Sequence, residues 1–463
     1  MKIIYLLLFI SISYTQEFIT EYLIIEGDTV DNFVYQLPDN LDNLAPLLVV
    51  FHQWGGSAYS TTGTEFDEEA FNRGWYFLSP WGGSSNNYNH QEAQYFWEQE
   101  ILWMMERFNI DSNRIYMVGG SMGGASGAIY ANNHLDPTKP MVAATASASG
   151  ILDCERRYYE MDGNNSMTEW FGGSPEEVPF EYHRNSAIFF DDSNQSMHMN
   201  LINTPIYLDF GATEPHRGHA EDLYNLLWGG HENMWIDMDP FNGHGFSVMD
   251  EQHACDWMSQ FELVTDPQRV WVNLDEPGRA YWAEVLNMEN DRAFIKLFIE
   301  KELEDPADIG FNNLTRIDIN YFDNSDSLLL HIIDDRVDEL HINCNDDLEN
   351  IHIGITGLRV DFIEYYEVST STSTQQFYIE NEAFWIDPDH LDCGEYDYNY
   401  HIYYSINDVN FDFVWDVTDI LLTLNHILGN EILSEYQQGF ADLNEDYMIN
   451  VIDILHMVNL ILE

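Results

Sequence analysis

The chain has 463 residues, of which 45% are hydrophobic and 14% aromatic, enough apolar mass for about two or three cores. Acidic residues outnumber basic ones by 80 to 17, for a net charge of −63. A surface of that sign repels nucleic acid and anionic membranes, and neither is an expected partner.

Two uses of so much negative charge stand open: adaptation to a salty medium, where counterions screen self-repulsion, and calcium binding. The chain opens with Met1-Lys2, an apolar run from Ile3 to Ile12, and Ser13-Tyr14-Thr15. That pattern predicts a secretory signal peptide over residues 1–15. The run is far short of the roughly 20 residues a membrane-spanning helix needs, and no later segment reaches that length. A soluble, secreted, extracellular protein is the expectation. Export permits disulfides, and pairing Cys154 with Cys255 and Cys344 with Cys393 would keep each bridge within one domain.

Residues 17–262 alternate apolar strands with helical stretches. Leu47–Phe51 reads as a buried strand and runs into His52-Gln53-Trp54-Gly55-Gly56-Ser57. Trp75–Pro80 is a second strand, followed by Trp81, and Glu98–Phe108 reads as a helix. Ile115–Val118 is the next strand, and Gly119-Gly120-Ser121-Met122-Gly123 follows at once, ahead of a small-residue helix. Gly119, Ser121 and Gly123 fit the G-x-S-x-G elbow that lifts a serine hydroxyl above a sheet. Met141–Ser149 is small and apolar and leads into a long insertion that carries Trp170-Phe171. Pro205–Phe210 is a strand ending in Gly211-Ala212-Thr213-Glu214, and Met234–Met238 precedes Gly243-His244-Gly245. Strand-helix alternation on this scale predicts an α/β fold, a mostly parallel sheet with helices on both faces.

A serine hydroxyl is a poor nucleophile near neutral pH and needs a base, which in turn needs an acid to hold its tautomer. In such a sheet the partners follow in the order serine, acid, histidine. His244 lies in an exposed glycine turn after the last strand; His216, His219, His231 and His253 are its rivals among 17 histidines. For the acid, Glu214 stands at the C-terminal end of its strand, where ligands bind, and Asp209 is the runner-up within the strand. The oxyanion of a tetrahedral intermediate needs donors, and Met122 N–H with Trp54 N–H, or else Gln53 N–H, fits that need. Trp81 and Trp170 are expected either to wall the substrate site or to pack in the core.

With these residues in view, the region from about 20 to 262 resembles secreted α/β-hydrolase esterases related to feruloyl and acetylxylan esterases and polyhydroxybutyrate depolymerases. The resemblance rests on His52-Gln53-Trp54-Gly55-Gly56, Gly119-Gly120-Ser121-Met122-Gly123-Gly124, Phe210-Gly211-Ala212-Thr213-Glu214 and Gly243-His244-Gly245-Phe246. Two positions differ from the pattern of many relatives: Gln53 stands where they have glycine, and Glu214 where they have aspartate. The resemblance implies an α/β-hydrolase fold and a serine ester hydrolase that needs no cofactor for catalysis. Acyl esters of polysaccharides, of the feruloyl or acetyl type, are the favoured substrates. A polyester is second and a peptide third. A non-catalytic adhesion or scaffold component is the rival from another class, and an intact Ser121, Glu214 and His244 argues against it.

From 266 to 400 the texture turns to period-two alternation, as in Ile317, Ile319 and Tyr321, then Ile351, Ile353 and Ile355, then Leu358, Val360 and Phe362. An all-β, sandwich-like accessory module is expected there. Residues 402–463 hold a duplication, with Asp408-Val409-Asn410-Phe411-Asp412 echoed by Asp442-Leu443-Asn444-Glu445-Asp446 at an offset of 442 − 408 = 34 residues. Calcium takes oxygen ligands spread over a loop of about twelve residues. The first copy offers Asp408, Asn410, Asp412, Asp416 and Asp419 with the Val414 carbonyl, and the second offers Asp442, Asn444, Asp446, Asn450 and Asp453 with the Met448 carbonyl. Apolar helices over Ile420–Leu428 and Ile454–Leu462 should follow. This pair resembles a type I dockerin, although Phe413 and Tyr447 replace the usual glycine of each loop. The resemblance implies structural calcium, a cohesin-like scaffold partner, and recognition through Val417-Thr418 and Val451-Ile452.

Overall fold

The computed structural model describes residues 17–285 without 164, 192–194, 241, 242 and 268. Beyond these it describes residue 294, the strands within 295–404, and residues 409, 417–430, 432, 433, 438, 441, 443 and 448–462. The expected signal segment 1–15 and two of the cysteines, Cys344 and Cys393, lie outside the described residues. The chain divides into two units at Val264/Thr265.

In the first unit, the apolar run of β3 (Ala45–Phe51) is buried on both faces, as a central parallel strand requires. Its side chains divide by parity. Leu47, Val49 and Phe51 join one core, while Leu48 and Val50 join another. Helices α2 (Gln91–Arg107), α3 (Met122–Asn133) and α7 (Arg217–Leu227) cover the first core, and α1 (Phe66–Arg73) and α8 (Glu251–Met258) cover the second. Each fully buried Leu or Val contributes about 1.5–3 kcal/mol of hydrophobic stabilisation, so a polar residue at any of these five positions would strike the sheet itself.

The other strands are β1 (Ile19–Ile25), β2 (Asp28–Gln36), β4 (Tyr76–Pro80), β5 (Ile110–Gly120), β6 (Ala144–Ala148), β7 (Ile206–Gly211) and β8 (Met234–Asp239). They form one sheet of eight strands in the order β1-β2-β4-β3-β5-β6-β7-β8. Pairings on both sides of β2 are antiparallel and all others are parallel, so β2 alone runs against the sheet. This is the α/β-hydrolase fold. Three short helices, α4 (Cys154–Glu160), α5 (Met167–Phe171) and α6 (Pro179–Arg184), occupy the insertion between β6 and β7.

Helix α2 begins at Gln91, well before the expected Glu98. His90 caps it, its imidazole accepting the Ala93 N–H, and Glu92 in the first turn suits the positive end of the helix dipole. The expected Cys154–Cys255 bridge is not formed: both thiols are free and buried. Cys154 packs with Tyr88, Met122 and Ile151, whereas Cys255 belongs to the core under α8, so the two side chains never meet. Burial pushes both thiols up to about 12, which leaves them inert.

In the second unit, the described residues between Arg269 and Tyr404 form two sheets, of five and seven strands. Ile317, Ile319 and Tyr321 lie in the strand Leu314–Tyr321, and Ile353 and Ile355 in His352–Thr356; Ile351, Leu358, Val360 and Phe362 lie outside the described residues. Helices α9 (Val417–Ile427) and α10 (Val451–Leu462) follow, with starts 451 − 417 = 34 residues apart, each three residues ahead of its expected start. Val409, Leu433, Ala441 and Met457 form a small core beside them. Among the described residues no helix is long and apolar enough to cross a membrane.

Candidate active site

Strand β5 ends at Gly120 and α3 begins at Met122, so Ser121 alone makes the turn between them. Its φ of 55° and ψ of −116° lie outside the regions an L-residue prefers, the strained geometry of an elbow. The flanking glycines are steric necessities. A Cβ on Gly119 would stand 2.1 Å from Gly123 O, and one on Gly123 would stand 2.5 Å from the carbonyls of Phe51 and His52. Ser121 N–H donates to Ala148 O, which ties the elbow to β6.

The loops after β7 and β8 bring two more groups to the same end of the sheet. Ser121 Oγ lies 2.8 Å from His244 Nε2, and His244 Nδ1 lies 2.9 Å from Glu214 Oε2. A carboxylate only accepts, so Glu214 fixes the proton on Nδ1 and leaves Nε2 as the acceptor for the serine proton. Glu214 is buried, while the His244 side chain is 44% exposed. Asp209 makes no hydrogen bond to His244. It lies inside β7, accepts the Tyr207 hydroxyl at 3.4 Å, and is pushed up to about 7 by burial and then by neighbouring Asp237.

The rival histidines have other partners. His219 Nδ1 accepts the N–H groups of Leu152 and Asp153, and His231 Nε2 lies 3.0 Å from the carbonyls of Leu201 and Thr204. His253 lies on α8 against Tyr207 and Trp235. His216 comes nearest, its ring centroid 5.9 Å from that of His244, but its Nδ1 is engaged by Glu160 at 2.9 Å. Burial disfavours the charge on Glu160, yet hydrogen bonds to His216 and His219 outweigh it and hold this carboxyl below the ordinary range. A second acid–histidine pair therefore flanks the first, and no sequence signal marked it beyond His216 lying two residues after Glu214.

On the opposite side of Ser121, Gly56 N–H donates to Gln53 O, closing a tight turn after β3. The amides of Gln53, Trp54 and Met122 have no acceptor among the described residues. Trp54 is 58% exposed, more open than Trp81 or Trp170. Trp81 is half-buried, and its carbonyl accepts from Asn87 Nδ2 and lies 2.9 Å from His52 Nε2. Trp170 on α5 is half-buried and stacks on His90 with centroids 4.3 Å apart. Burial lowers His90 to about 4, so that ring is neutral. Of the two expected substrate aromatics, Trp170 is thus engaged by the protein's own ring.

Of the expected calcium ligands, Asp408, Asn410, Asp412, Val414, Asp416, Asp442, Asn444 and Asp446 lie outside the described residues. Among the described residues, no group of three or more His, Cys, Asp or Glu could hold a metal. Of the four that are described, Asp419 and Asp453 behave as a matched pair. Asp419 Oδ1 accepts Val409 N–H at 2.8 Å, and Asp453 Oδ1 accepts Leu443 N–H at 3.0 Å, with 453 − 419 and 443 − 409 both equal to 34. Both aspartates are fully buried. Asp453 Oδ2 also accepts Asn450 N–H, and the Met448 carbonyl accepts the Asn450 side chain. Asp419 is thus tied to preceding backbone through Oδ1, and Asp453 through both oxygens.

No curated protein sequence matches the chain. An S-formylglutathione hydrolase of Agrobacterium tumefaciens is similar in structure, with a TM-score of 0.42 at 12% identity over 53% of this chain and 98% of that one. A ferulic acid esterase gives a TM-score of 0.39 at 13% identity over 53% and 96%. Residues 406–462 match the family model of the dockerin type I domain. The chain thus joins an α/β-hydrolase fold in its first unit to a dockerin type I domain at residues 406–462.

Proposed function

We propose that the first unit is a serine carboxylic-ester hydrolase with a Ser121–His244–Glu214 triad. The observation that carries this reading is the unbroken pair of contacts, 2.8 Å from Ser121 Oγ to His244 Nε2 and 2.9 Å from His244 Nδ1 to Glu214. Ser121 Oγ attacks the ester carbonyl as its proton passes to His244 Nε2. Glu214 stabilises the imidazolium without itself taking the proton. The oxyanion lies against Trp54 N–H and Met122 N–H, donors that require no reorganisation when charge develops. Collapse expels the alcohol, which takes the proton from His244 and leaves an acyl ester on Ser121. Water, deprotonated by His244, then attacks the acyl carbon, and the acid leaves as Ser121 recovers its proton.

Acyl esters of polysaccharides are the favoured substrates. The dockerin match supports this choice, since a domain that docks on a cohesin scaffold keeps an enzyme beside a polymer. The apolar run from Ile3 to Ile12 supports export. In the tail, Asp419 and Asp453, with the loop oxygens that precede them, would hold calcium. The ion would supply positive charge that offsets the repulsion among clustered carboxylates. The test is a panel of acetyl, feruloyl and hydroxybutyrate esters with native protein and Ser121→Ala. Feruloyl or acetyl turnover that falls by about 10^4-fold in Ser121→Ala supports the reading, and turnover that survives the substitution overturns it. Activity confined to hydroxybutyrate esters would move the assignment to a polyester.

A further inference from the structure

Two consecutive non-glycine residues, Tyr88 at φ 46° and Asn89 at φ 61°, are left-handed in the loop between β4 and α2, and both are buried. Backbone of this kind persists only where its surroundings over-determine it. Here the surroundings lead to Met122. Tyr88 N–H donates to Met122 Sδ at 3.4 Å, and Asn89 Nδ2 donates to Met122 O at 3.5 Å. Asn89 Oδ1 accepts from Ser126 one turn further along α3, and Gln94 Nε2 donates to Asn89 O at 2.7 Å.

The same chain of contacts continues to the other oxyanion donor. Asn89 N–H donates to Asn87 Oδ1 at 3.0 Å, and Asn87 Nδ2 donates to Trp81 O at 3.1 Å. The His52 ring stands between two carbonyls, with Nε2 2.9 Å from Trp81 O and Nδ1 2.8 Å from Gln53 O. A ring N–H donates to a carbonyl of this pair, and Gln53 O also accepts Gly56 N–H at 2.9 Å. Gln53 C=O and Trp54 N–H belong to one planar peptide, so holding the carbonyl fixes the direction of the N–H. His52, Asn87 and Asn89 are all buried.

We propose that His52, Asn87 and Asn89 form one hydrogen-bonded brace that sets the spacing of Trp54 N–H and Met122 N–H. They are positioning residues, since none touches the reacting atoms. The inference rests on the serine-hydrolase reading and adds to it the parts that hold its oxyanion site in register. A small error in donor position is costly, because the donors act on charge present only in the transition state.

The test compares native protein with Asn89→Gly, which removes the side chain while accepting the left-handed φ, and with His52→Gln at the far end of the brace. Two readouts are taken on the full chain: kcat and KM for a 4-nitrophenyl acyl ester, and affinity for a trifluoromethyl ketone. The ketone reports the oxyanion directly. The Ser121 Oγ–C bond forms, the carbonyl π pair becomes the oxyanion, and the serine proton passes to His244. Each variant is expected to lose about 10- to 100-fold in kcat and the same factor in ketone affinity, with KM unchanged. A variant that keeps native kcat, or loses kcat with full ketone affinity, overturns the brace while the hydrolase reading stands. If Asn89→Gly fails to fold, His52→Gln decides alone. Native protein that neither turns over the ester nor binds the ketone overturns the hydrolase reading, and the brace with it.

Discussion

Glu214 in the first unit and the Asp419–Asp453 pair in the tail are all buried carboxyl groups, yet they are held differently. Glu214 meets His244 from a loop 244 − 214 = 30 residues away, and its Oε1 is buried with no hydrogen-bond partner among the described residues. It stays in place because β7 and β8 are neighbours in a sheet with a core on each face. Asp419 and Asp453 instead accept N–H groups ten residues earlier in their own chain segments, 419 − 409 and 453 − 443. Their surroundings are local, a small core around Val409, Leu433, Ala441 and Met457. The difference separates an acid placed by neighbouring strands of a sheet from acids placed by contacts within their own segments, whose order would depend on calcium if the proposed site holds it.

The largest effect should come from exchanging the roles of the two carboxyls near β7. Glu214→Ala is expected to lower kcat for ester turnover by about 10^3- to 10^4-fold, while Asp209→Ala costs less than about tenfold. Steady-state kinetics of both variants checks this, and the reverse ranking would assign the acid to Asp209.

Chelation should separate the two regions next. Amide hydrogen exchange on the full chain is expected to speed up across α9 and α10 when calcium is removed, while residues 17–264 keep their protection and ester turnover stays within about twofold. Asp419→Ala combined with Asp453→Ala should abolish the calcium response. Exchange in the tail that ignores chelator would contradict a ligand-coupled order.

The smallest effect concerns pH. Burial first, then carboxyl neighbours, pushes Asp209 and Glu251 up to about 7, and burial raises Asp67 and Asp153 to about 6. The folded state holds these protons more tightly than the unfolded chain does. Their stabilising contribution is therefore complete below the ordinary carboxyl value near 4 and fades as pH rises through 6 to 7. Buried His90, His219 and His231 hold their protons less tightly than in the unfolded chain and oppose this trend below about pH 6.5. Denaturant midpoints of the first unit should therefore fall between about pH 6.5 and pH 8, by about 1 M or less. Asp209→Asn should flatten that slope, and a midpoint that rises with pH would contradict the sign.

Much of this was legible where the constraint is contiguous. Gly119, Ser121 and Gly123 lie within five residues, and steric contact with Phe51 and His52 demands small residues there, so the elbow shows in the sequence. The β3 run shows for the same reason. The start of α2 did not, because a histidine cap followed by Gln91 is a weak signal beside a serine or aspartate. The Cys154–Cys255 pairing failed because sequence distance carries no information on which sheet face a thiol occupies. The brace was out of reach, since it links positions 52, 81, 87, 89 and 122 through side chains that only the fold brings together. Only its Asn86-Asn87-Tyr88-Asn89 composition, suited to left-handed turns, hinted at it.

On the proposed mechanism, Ser121 carries the acyl group between the two halves of an ester hydrolysis. Mass spectrometry of protein quenched in acid during turnover of a feruloyl or acetyl ester tests it most directly. An acyl adduct is expected on the peptide that contains Ser121, and none in Ser121→Ala. Sustained turnover with Ser121 unmodified, or an adduct on another residue that persists in Ser121→Ala, would contradict it.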